Sequence, residues 1–202
     1  MRIKINLKLE RIPFKDLATE SARALNKALG TNHKWHDLSV KPYTCSLING
    51  GIRKGDDIVF NKSAFICINT EDDEVIEALF SDKSISFSIV NNEVFKDYNI
   101  LSVYNVIYNK SGKGEIFVTE ENKQDFVEYV KNKYLVEIEI LKIKNSRIPY
   151  KKNGTRPVSN LLIKCNGNKN VENLFESGIG GSCSIGFGFV EQINKKRWNT
   201  YI

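Results

Sequence analysis

The chain has 202 residues, a length that suits one large domain or two domains of about 100 residues each. Hydrophobic residues make up 41% of the chain and charged residues 27%, so a buried core is expected and extensive disorder is excluded. The net charge of +6 favours a polyanionic partner. The sequence contains no long apolar run of the length that crosses a bilayer, so no membrane partner is expected.

The N-terminal residues alternate between polar and apolar, which indicates a strand rather than a signal peptide. The cysteines, Cys45, Cys67, Cys165 and Cys183, are far apart in the sequence and include no C-x-x-C pair. This pattern is typical of reduced, mostly buried thiols, so we expect a cytoplasmic protein.

The first half of the chain predicts the element order strand, helix, strand, strand, helix, strand. Apolar residues alternate along a first strand at 2–9, and an apolar spacing of three to four residues predicts a helix at 14–29. Residues 31–41 form a connection. The other predicted elements are strands at 42–49, 57–69 and 84–96 and a helix at 73–81. This is the order of a ferredoxin-like βαββαβ unit.

The same order recurs after residue 97. The predicted elements are strands at 98–108, 115–118, 134–144, 158–165 and 184–193 and helices at 120–132 and 168–177. A basic, proline-containing connection is predicted at 145–157. The predicted fold class is therefore α+β, with two tandem ferredoxin-like (βαββαβ, RRM-like) domains at 1–97 and 98–202.

A glycine-rich stretch from Gly178 to Gly188, called the glycine loop below, lies between the last predicted helix and the last predicted strand. Backbone N–H groups in such a loop suit phosphate oxygens. The spacing matches neither the dinucleotide pattern G-x-G-x-x-G nor a Walker loop. A glycine-rich turn without a ligand therefore remains an alternative at this point.

The doubled ferredoxin-like order and the glycine loop resemble the CRISPR-associated repeat-RNA-processing endoribonucleases of the RAMP superfamily. The glycine loop is similar to the C-terminal glycine motif of that family without a gap. A second similarity is the segment 36–47, in which a histidine after the first helix precedes a Lys-Pro-Tyr-Thr run. The resemblance implies a metal-independent endoribonuclease without a cofactor, which cuts within the CRISPR repeat of precursor transcripts and releases guide crRNAs.

The resemblance implies that His36 is the catalytic histidine and that Lys41 lies near the scissile phosphate. Family members with two close histidines make His33 a second candidate, and the tyrosine that some members carry on the first helix is absent here. Histidine has a pKa of about 6.5, so it can act as the acid or the base when the RNA 2′-hydroxyl attacks the phosphate. Lys41 would stabilise the charge that develops. Trp35, between the histidines, either stacks on a nucleotide or packs on the core.

Residues 142–156, called the basic segment below, contain several lysines and arginines and no acidic residue. Its cations would contact RNA phosphates and its tyrosine would stack on a base. The predicted RNA-binding residues are Lys142, Lys144, Arg147, Tyr150, Lys151, Lys152, Arg156, Gly178, Gly180, Gly181, Ser182, Ser184, Gly186 and Gly188. A solvated basic hairpin without function is the alternative. We interpret the glycine loop as a contact for the RNA backbone and a brace between the domains, separate from the catalytic centre.

Two other functions stay open. A non-catalytic RAMP subunit that holds guide RNA in a CRISPR effector complex would keep the glycine loop and the basic segment without needing His36. A small-molecule sensor would bind a nucleotide at the glycine loop. No metal site is predicted, because only Asp37 lies beside the two histidines. The expected partner is CRISPR repeat RNA, bound by a monomer or a homodimer.

Overall fold

The structure is a computed structural model, and it describes residues 1–30, 33–35, 37–38, 41–61, 64–81, 86–90, 97–150, 154–167 and 170–193. Three of the predicted site residues, His36, Lys151 and Lys152, lie outside the described residues. The chain forms two compact units. The first comprises Met1–Asn91, Ile148–Thr155 and Ser184–Gly186, and the second comprises Asn92–Arg147, Arg156–Cys183 and Phe187–Ile202.

The first unit contains two antiparallel sheets and two helices. Its elements in chain order are β1 (Arg2–Leu7), β2 (Arg11–Pro13), a 3-10 helix (Phe14–Asp16), α1 (Leu17–Leu29), β3 (Thr44–Cys45), β4 (Ile52–Lys54), β5 (Asp57–Val59), β6 (Ala64–Asn69), α2 (Asp73–Ser81) and β7 (Phe87–Val90). The main sheet has the order β3-β6-β1-β7, and β2-β5-β4 form a small second sheet. The main sheet therefore has the strand order of a ferredoxin-like unit.

The sequence pattern explains how β1 and α1 pack. Ile3 and Ile5 are buried because alternate residues of a strand point to the same face. Leu25 and Leu29 are buried because residues four apart lie on one face of a helix. The helix ends at Gly30, whose φ of +89° is a backbone conformation that glycine adopts without a steric penalty.

Two predicted strands of the first unit are longer than the observed ones. The strand predicted at 42–49 is reduced to β3, because the side chains of Ser46 and Asn49 donate to the Leu47 carbonyl and compete with the strand ladder. The strand predicted at 57–69 is divided, since β5 pairs with β2 and β4 whereas β6 pairs with β1 and β3. Both predictions were therefore wrong about where regular strand pairing ends.

The second unit repeats the topology. Apart from the residues at 148–155 and 184–186 that belong to the first unit, its elements are β8 (Tyr98–Val106), β9 (Tyr108–Lys110), β10 (Gly114–Ile116), α3 (Lys123–Tyr134), β11 (Ile138–Tyr150), β12 (Gly154–Asn166), α4 (Val171–Ser177), a 3-10 helix (Cys183–Ile185) and β13 (Phe189–Gln192). The four-stranded sheet has the order β11-β12-β8-β13, which is again the ferredoxin-like order. The predicted α+β class is thus confirmed.

The core of the second unit lies between its sheet and its helices. Phe126 and Val130 of α3 are completely buried against Leu101, Ile163 and Leu174. Burial of each such side chain stabilises the fold by about 1.5–3 kcal/mol. Among the helices of the described residues, none is long and apolar enough to cross a membrane.

The connection predicted at 145–157 was wrong, because most of it is strand. Residues up to Tyr150 belong to β11, and β12 begins at Gly154. The polar residue Asn145, which indicates a loop in the sequence, is satisfied inside the unit: its Oδ1 accepts from Ser159 Oγ at 2.7 Å and its Nδ2 donates to the Val118 carbonyl at 3.0 Å. Long-range hydrogen bonds therefore replace the local ones that would favour a loop.

The last strand is also shorter than predicted. The prediction placed it at 184–193, whereas β13 covers only Phe189–Gln192. Gly186 and Gly188 have φ values of +102° and +62°, which lie outside the strand region. The glycine loop therefore continues up to the residue before β13.

Candidate catalytic and RNA-binding residues

His33 follows α1 and is half-buried. Its Nε2 donates to Asn26 Oδ1 at 3.4 Å, and its Nδ1 atom is inaccessible to solvent. The ring of Trp35 lies 5.6 Å from the His33 ring, and Trp35 is only 5% exposed. Trp35 therefore packs in the core of the first unit rather than presenting a face to solvent. These contacts place the His33 ring beside Asn26 and Trp35, and the catalytic roles of His33 and His36 stay predictions.

Lys41 donates to two backbone carbonyls of the preceding connection. Its Nζ donates to the Trp35 carbonyl at 2.6 Å and to the Leu38 carbonyl at 3.0 Å. An ammonium group has three donor hydrogens, so two of them are committed to these carbonyls. Lys41 thus ties its own position to those of Trp35 and Leu38, and a contact between Lys41 and a phosphate stays a prediction.

The cysteines have no features of a nucleophile or a metal ligand. All four are free thiols, and Cys45, Cys67 and Cys165 are buried. Burial raises the pKa of Cys165 to about 12 and that of Cys183 to about 11. These two thiols are therefore protonated at neutral pH, whereas thiolates are the reactive form. Among the described residues, no three His, Cys, Asp or Glu side chains form a cluster that could hold a metal ion.

The cations of the basic segment differ in exposure. Lys142, Lys144 and Arg147 are exposed on β11, and Tyr150 at the end of the strand is half-buried. Lys142 and Lys144 are two residues apart, so their side chains leave the same face of the strand. The Arg147 guanidinium lies 5.4 Å from the centre of the Phe117 ring. The structure therefore places a row of exposed cations along one strand.

Arg156 has a different environment from the other cations of the basic segment. Its Nη2 forms an ion pair with Glu115 Oε1 at 2.8 Å, and its Nη1 donates to Ser182 Oγ at 3.0 Å. The guanidinium also lies 5.5 Å from the centre of the Phe187 ring. Arg156 thus connects β12 to β10 and to the glycine loop, so two predicted RNA-binding residues, Arg156 and Ser182, bind each other.

Close packing leaves no room for a side chain at three glycines of the glycine loop, Gly180, Gly186 and Gly188. A Cβ atom on Gly188 would lie 2.1 Å from the Ile179 carbonyl oxygen, and one on Gly180 would lie 2.6 Å from the Ile107 carbonyl oxygen. In the first unit, a Cβ on Gly186 would lie 2.4 Å from a methyl group of Leu47. Only a residue without a side chain fits at these positions.

Backbone N–H groups of the glycine loop donate within the second unit. The amide of Gly181 donates to the Ile107 carbonyl at 3.0 Å and that of Gly188 to the Asn105 carbonyl at 3.2 Å. The amide of Gly180 donates to the Tyr134 hydroxyl at 3.2 Å. The amides of Gly178 and Ile179 donate to the carbonyls of Leu174 and Gly188. These five amides therefore donate to acceptors of the second unit, and a phosphate contact at these positions stays a prediction.

The chain matches no protein-family model and no curated protein. Among solved structures, the chain is similar to a CRISPR associated protein Cas6, with 19% identity, a TM-score of 0.66, and 96% of this chain and 99% of that chain covered. A RAMP protein binding different RNA substrates has 16% identity, a TM-score of 0.68, and coverage of 96% and 100%.

A third similar structure is Thermus thermophilus Cse3 bound to an RNA representing a pre-cleavage complex, with 13% identity, a TM-score of 0.54, and coverage of 96% and 98%. The chain has the fold of these CRISPR proteins. The similarity covers nearly the full length on both sides, so the fold resemblance inferred from the sequence is confirmed.

Sequence reasoning missed the contacts of Arg156 in this Cas6-like fold. Glu115 and Ser182 are far from Arg156 in the sequence, and no local pattern connects the three residues. The only available signal was that Arg156 is separated from the other cations of the basic segment by Asn153, Gly154 and Thr155. Whether an arginine in a row of cations binds a ligand or another part of the protein is therefore known only when its partners are known.

Replacement of Arg156 by lysine should lower the free energy of unfolding by about 1–2 kcal/mol, because lysine keeps the charge but cannot bond two partners through one planar group. Urea denaturation measures this effect. Arg147→Lys is the matched control and should leave stability unchanged, since Arg147 is exposed. Unchanged stability of Arg156→Lys together with weaker RNA binding would instead assign Arg156 to the RNA surface.

Proposed function

We propose that the protein is a metal-independent endoribonuclease, which binds CRISPR repeat RNA in the cytoplasm and cleaves precursor transcripts into guide crRNAs. The observation that carries this proposal is the row of exposed cations on β11, in a chain that shares its fold with Cas6 and with an RNA-bound Cse3 over nearly its full length. Polyanion binding requires such exposed, closely spaced cations. The net charge of +6 agrees with this assignment.

Cleavage would use the RNA's own nucleophile. A base removes the proton of the 2′-hydroxyl, whose oxygen attacks the adjacent phosphorus, and an acid protonates the 5′-oxygen as its bond to phosphorus breaks. The products are a 2′,3′-cyclic phosphate and a 5′-hydroxyl. His36 is the residue proposed as acid or base. Lys41 is proposed to stabilise the negative charge that develops on the phosphate.

A second candidate function is a non-catalytic RAMP subunit that holds guide RNA within a CRISPR effector complex. It is favoured by the environments of His33 and Lys41, since the His33 ring contacts Asn26 and the Lys41 ammonium donates to two backbone carbonyls. A cleavage assay with repeat RNA in EDTA separates the two functions. Cleavage with a 2′,3′-cyclic phosphate product supports the nuclease, and binding without cleavage of any tested repeat supports the subunit.

Removing two exposed cations of β11 should weaken RNA binding about tenfold at physiological salt, because each lysine that neutralises a phosphate contributes to counterion release. The variant is Lys142→Ala with Lys144→Ala. The slope of log affinity against log salt should fall by about 1.4 for single-stranded RNA, at about 0.7 for each contact. Filter binding of repeat RNA across a salt series measures both quantities.

The matched control carries Lys54→Ala and Lys123→Ala, which removes the same charge from two other exposed positions. Its salt slope should equal that of the unaltered protein. Equal slopes for both double variants would show that β11 does not contact phosphates and would contradict the RNA-binding part of the proposal.

A further inference from the structure

A groove of about 650 Å³ lies in the first unit, between the end of β1 and α1. Its floor is apolar and consists of Ile5, Leu7, Leu9, Ala24 and Ala28. Ile5 is only 2% exposed, so the floor is continuous with the core. The volume falls in the range of about 300–1,000 Å³ that is typical of small-ligand sites. The residues lining the groove include none of the predicted catalytic or RNA-binding residues.

Cations surround the apolar floor. Lys8, Arg23 and Lys27 line the groove and are exposed. Glu20 also lines it and forms an ion pair with Arg23, one helical turn away. Among the described residues, no acidic side chain forms an ion pair with Lys8 or Lys27. Three cations and one carboxylate leave a net charge of +2 around the floor, which is complementary to phosphate groups.

One part of the groove is polar and neutral. The Asn6 side-chain amide donates to Ser86 Oγ at 3.3 Å, and both residues line the groove. Successive residues of a strand point to opposite faces, so this pair lies on the face of β1 away from Ile5 and Leu7 and marks the rim of the groove. An apolar floor beside cations is complementary to a base with its phosphate, whereas an acidic peptide would use the cations and bring no ring to the floor, and the chemistry therefore favours a nucleotide.

We propose that this groove binds one or two unpaired ribonucleotides of the repeat RNA. The bases lie on the apolar floor, and their phosphates contact Lys8 and Lys27. Stacked and paired bases hide their faces, so the groove selects unpaired nucleotides. The inference rests on the proposed function, because it adds a contact site for the same RNA.

Charge removal provides the first test. Lys8→Ala with Lys27→Ala should weaken binding of repeat RNA about tenfold and reduce the salt slope by about 1.4, while Lys54→Ala with Lys123→Ala changes neither. Ala24→Leu provides an uncharged second variant, since it fills the groove and keeps a good helix-forming residue. Ala24→Leu should weaken RNA binding. It should also lower the salt slope below that of the unaltered protein, because nucleotides excluded from the groove no longer bring their phosphates to Lys8 and Lys27.

Cross-linking identifies which residues contact the unpaired nucleotides. Repeat RNA that contains 5-iodouridine at unpaired positions is irradiated with the full-length protein, and mass spectrometry identifies the modified peptides. Adducts on residues 5–9 or 20–28 are expected, and Ala24→Leu should abolish them. Adducts confined to other segments, or equal affinity of the Lys8/Lys27 variant and its control, would overturn the inference.

The outcomes separate this inference from the proposed function. If the unaltered protein binds and cleaves repeat RNA but the groove variants behave like the control, only the groove assignment fails. If the unaltered protein binds no repeat RNA, the proposed function fails and the groove assignment with it. Normal RNA binding by the groove variants, together with lost association with effector-complex proteins, would assign the groove to a protein partner and also overturn the inference.

Discussion

Replacing His36 with alanine should slow cleavage of repeat RNA by about 10²–10⁴-fold and leave RNA affinity unchanged. General acid–base catalysis by one side chain contributes about this factor, because the proton must otherwise be exchanged with water. The cations on β11 that would hold the RNA are unaffected by the change. Single-turnover cleavage in EDTA, with enzyme in excess over labelled RNA, measures the chemical step, and filter binding measures the affinity.

Two comparisons make this result specific. His33→Ala should change the cleavage rate much less than His36→Ala, because His33 Nε2 is bonded to Asn26 and its Nδ1 is inaccessible to solvent. RNA with a 2′-deoxynucleotide at the cut site should bind normally and stay intact, since the nucleophile is missing. Wild-type cleavage by His36→Ala would contradict the assigned role, and equal losses in both histidine variants would indicate a catalytic pair.

The topology was predictable because it depends on local signals. Alternation along β1, helical spacing in α1 and the repeat of the same order after residue 97 each reflect a few neighbouring residues. The predicted order of the main-sheet strands and the α-helices agrees with the observed order in both units, whereas the short strands β2, β4 and β9 were not predicted separately. Glycines at fixed offsets likewise indicated a loop before β13, and positive φ values at Gly180, Gly186 and Gly188 explain why they are needed.

The errors arose where distant residues decide the structure. The basic, proline-containing composition of residues 145–157 predicted a connection, yet Asn145 is satisfied by Ser159 and Val118, and β11 is an edge strand that tolerates Pro149. Arg156 looked like its exposed neighbours until its partners Glu115 and Ser182 were located. Local patterns contain no information on such pairs, so candidate site residues are less predictable than elements.

The same limit applies to the glycine loop. Its composition suggested N–H groups available to phosphate, whereas the amides from Gly178 to Gly181 donate to protein acceptors. A glycine-rich loop can expose its backbone or allow another backbone to approach, and the sequence is the same in both cases. Here the carbonyl of Ile107 and the hydroxyl of Tyr134 accept from amides of the glycine loop, so another backbone approaches the loop. Neither acceptor lies near the loop in the sequence.

Replacement of Gly188 by alanine should therefore lower the free energy of unfolding by about 2–5 kcal/mol. The added Cβ would lie 2.1 Å from the Ile179 carbonyl oxygen, at a φ of +62°. The positive φ costs about 1–2 kcal/mol, and displacement of packed backbone adds about 1–3 kcal/mol. Domains are stable by only about 5–15 kcal/mol, so much of the variant should be lost to unfolding at moderate urea. Urea denaturation followed by circular dichroism measures the change.

Two other glycines separate the contributions. Gly112→Ala adds a Cβ at a φ of +74° with no atom within 4 Å, so it isolates the backbone cost of about 1–2 kcal/mol. Gly181→Ala, where the nearest atom is Asn109 Nδ2 at 3.4 Å, should change stability least. If Gly188→Ala were as stable as Gly181→Ala but bound repeat RNA weakly, the glycine loop would contact RNA rather than brace the fold. The expected order of destabilisation, Gly188 above Gly112 above Gly181, follows only if close backbone packing is what requires glycine.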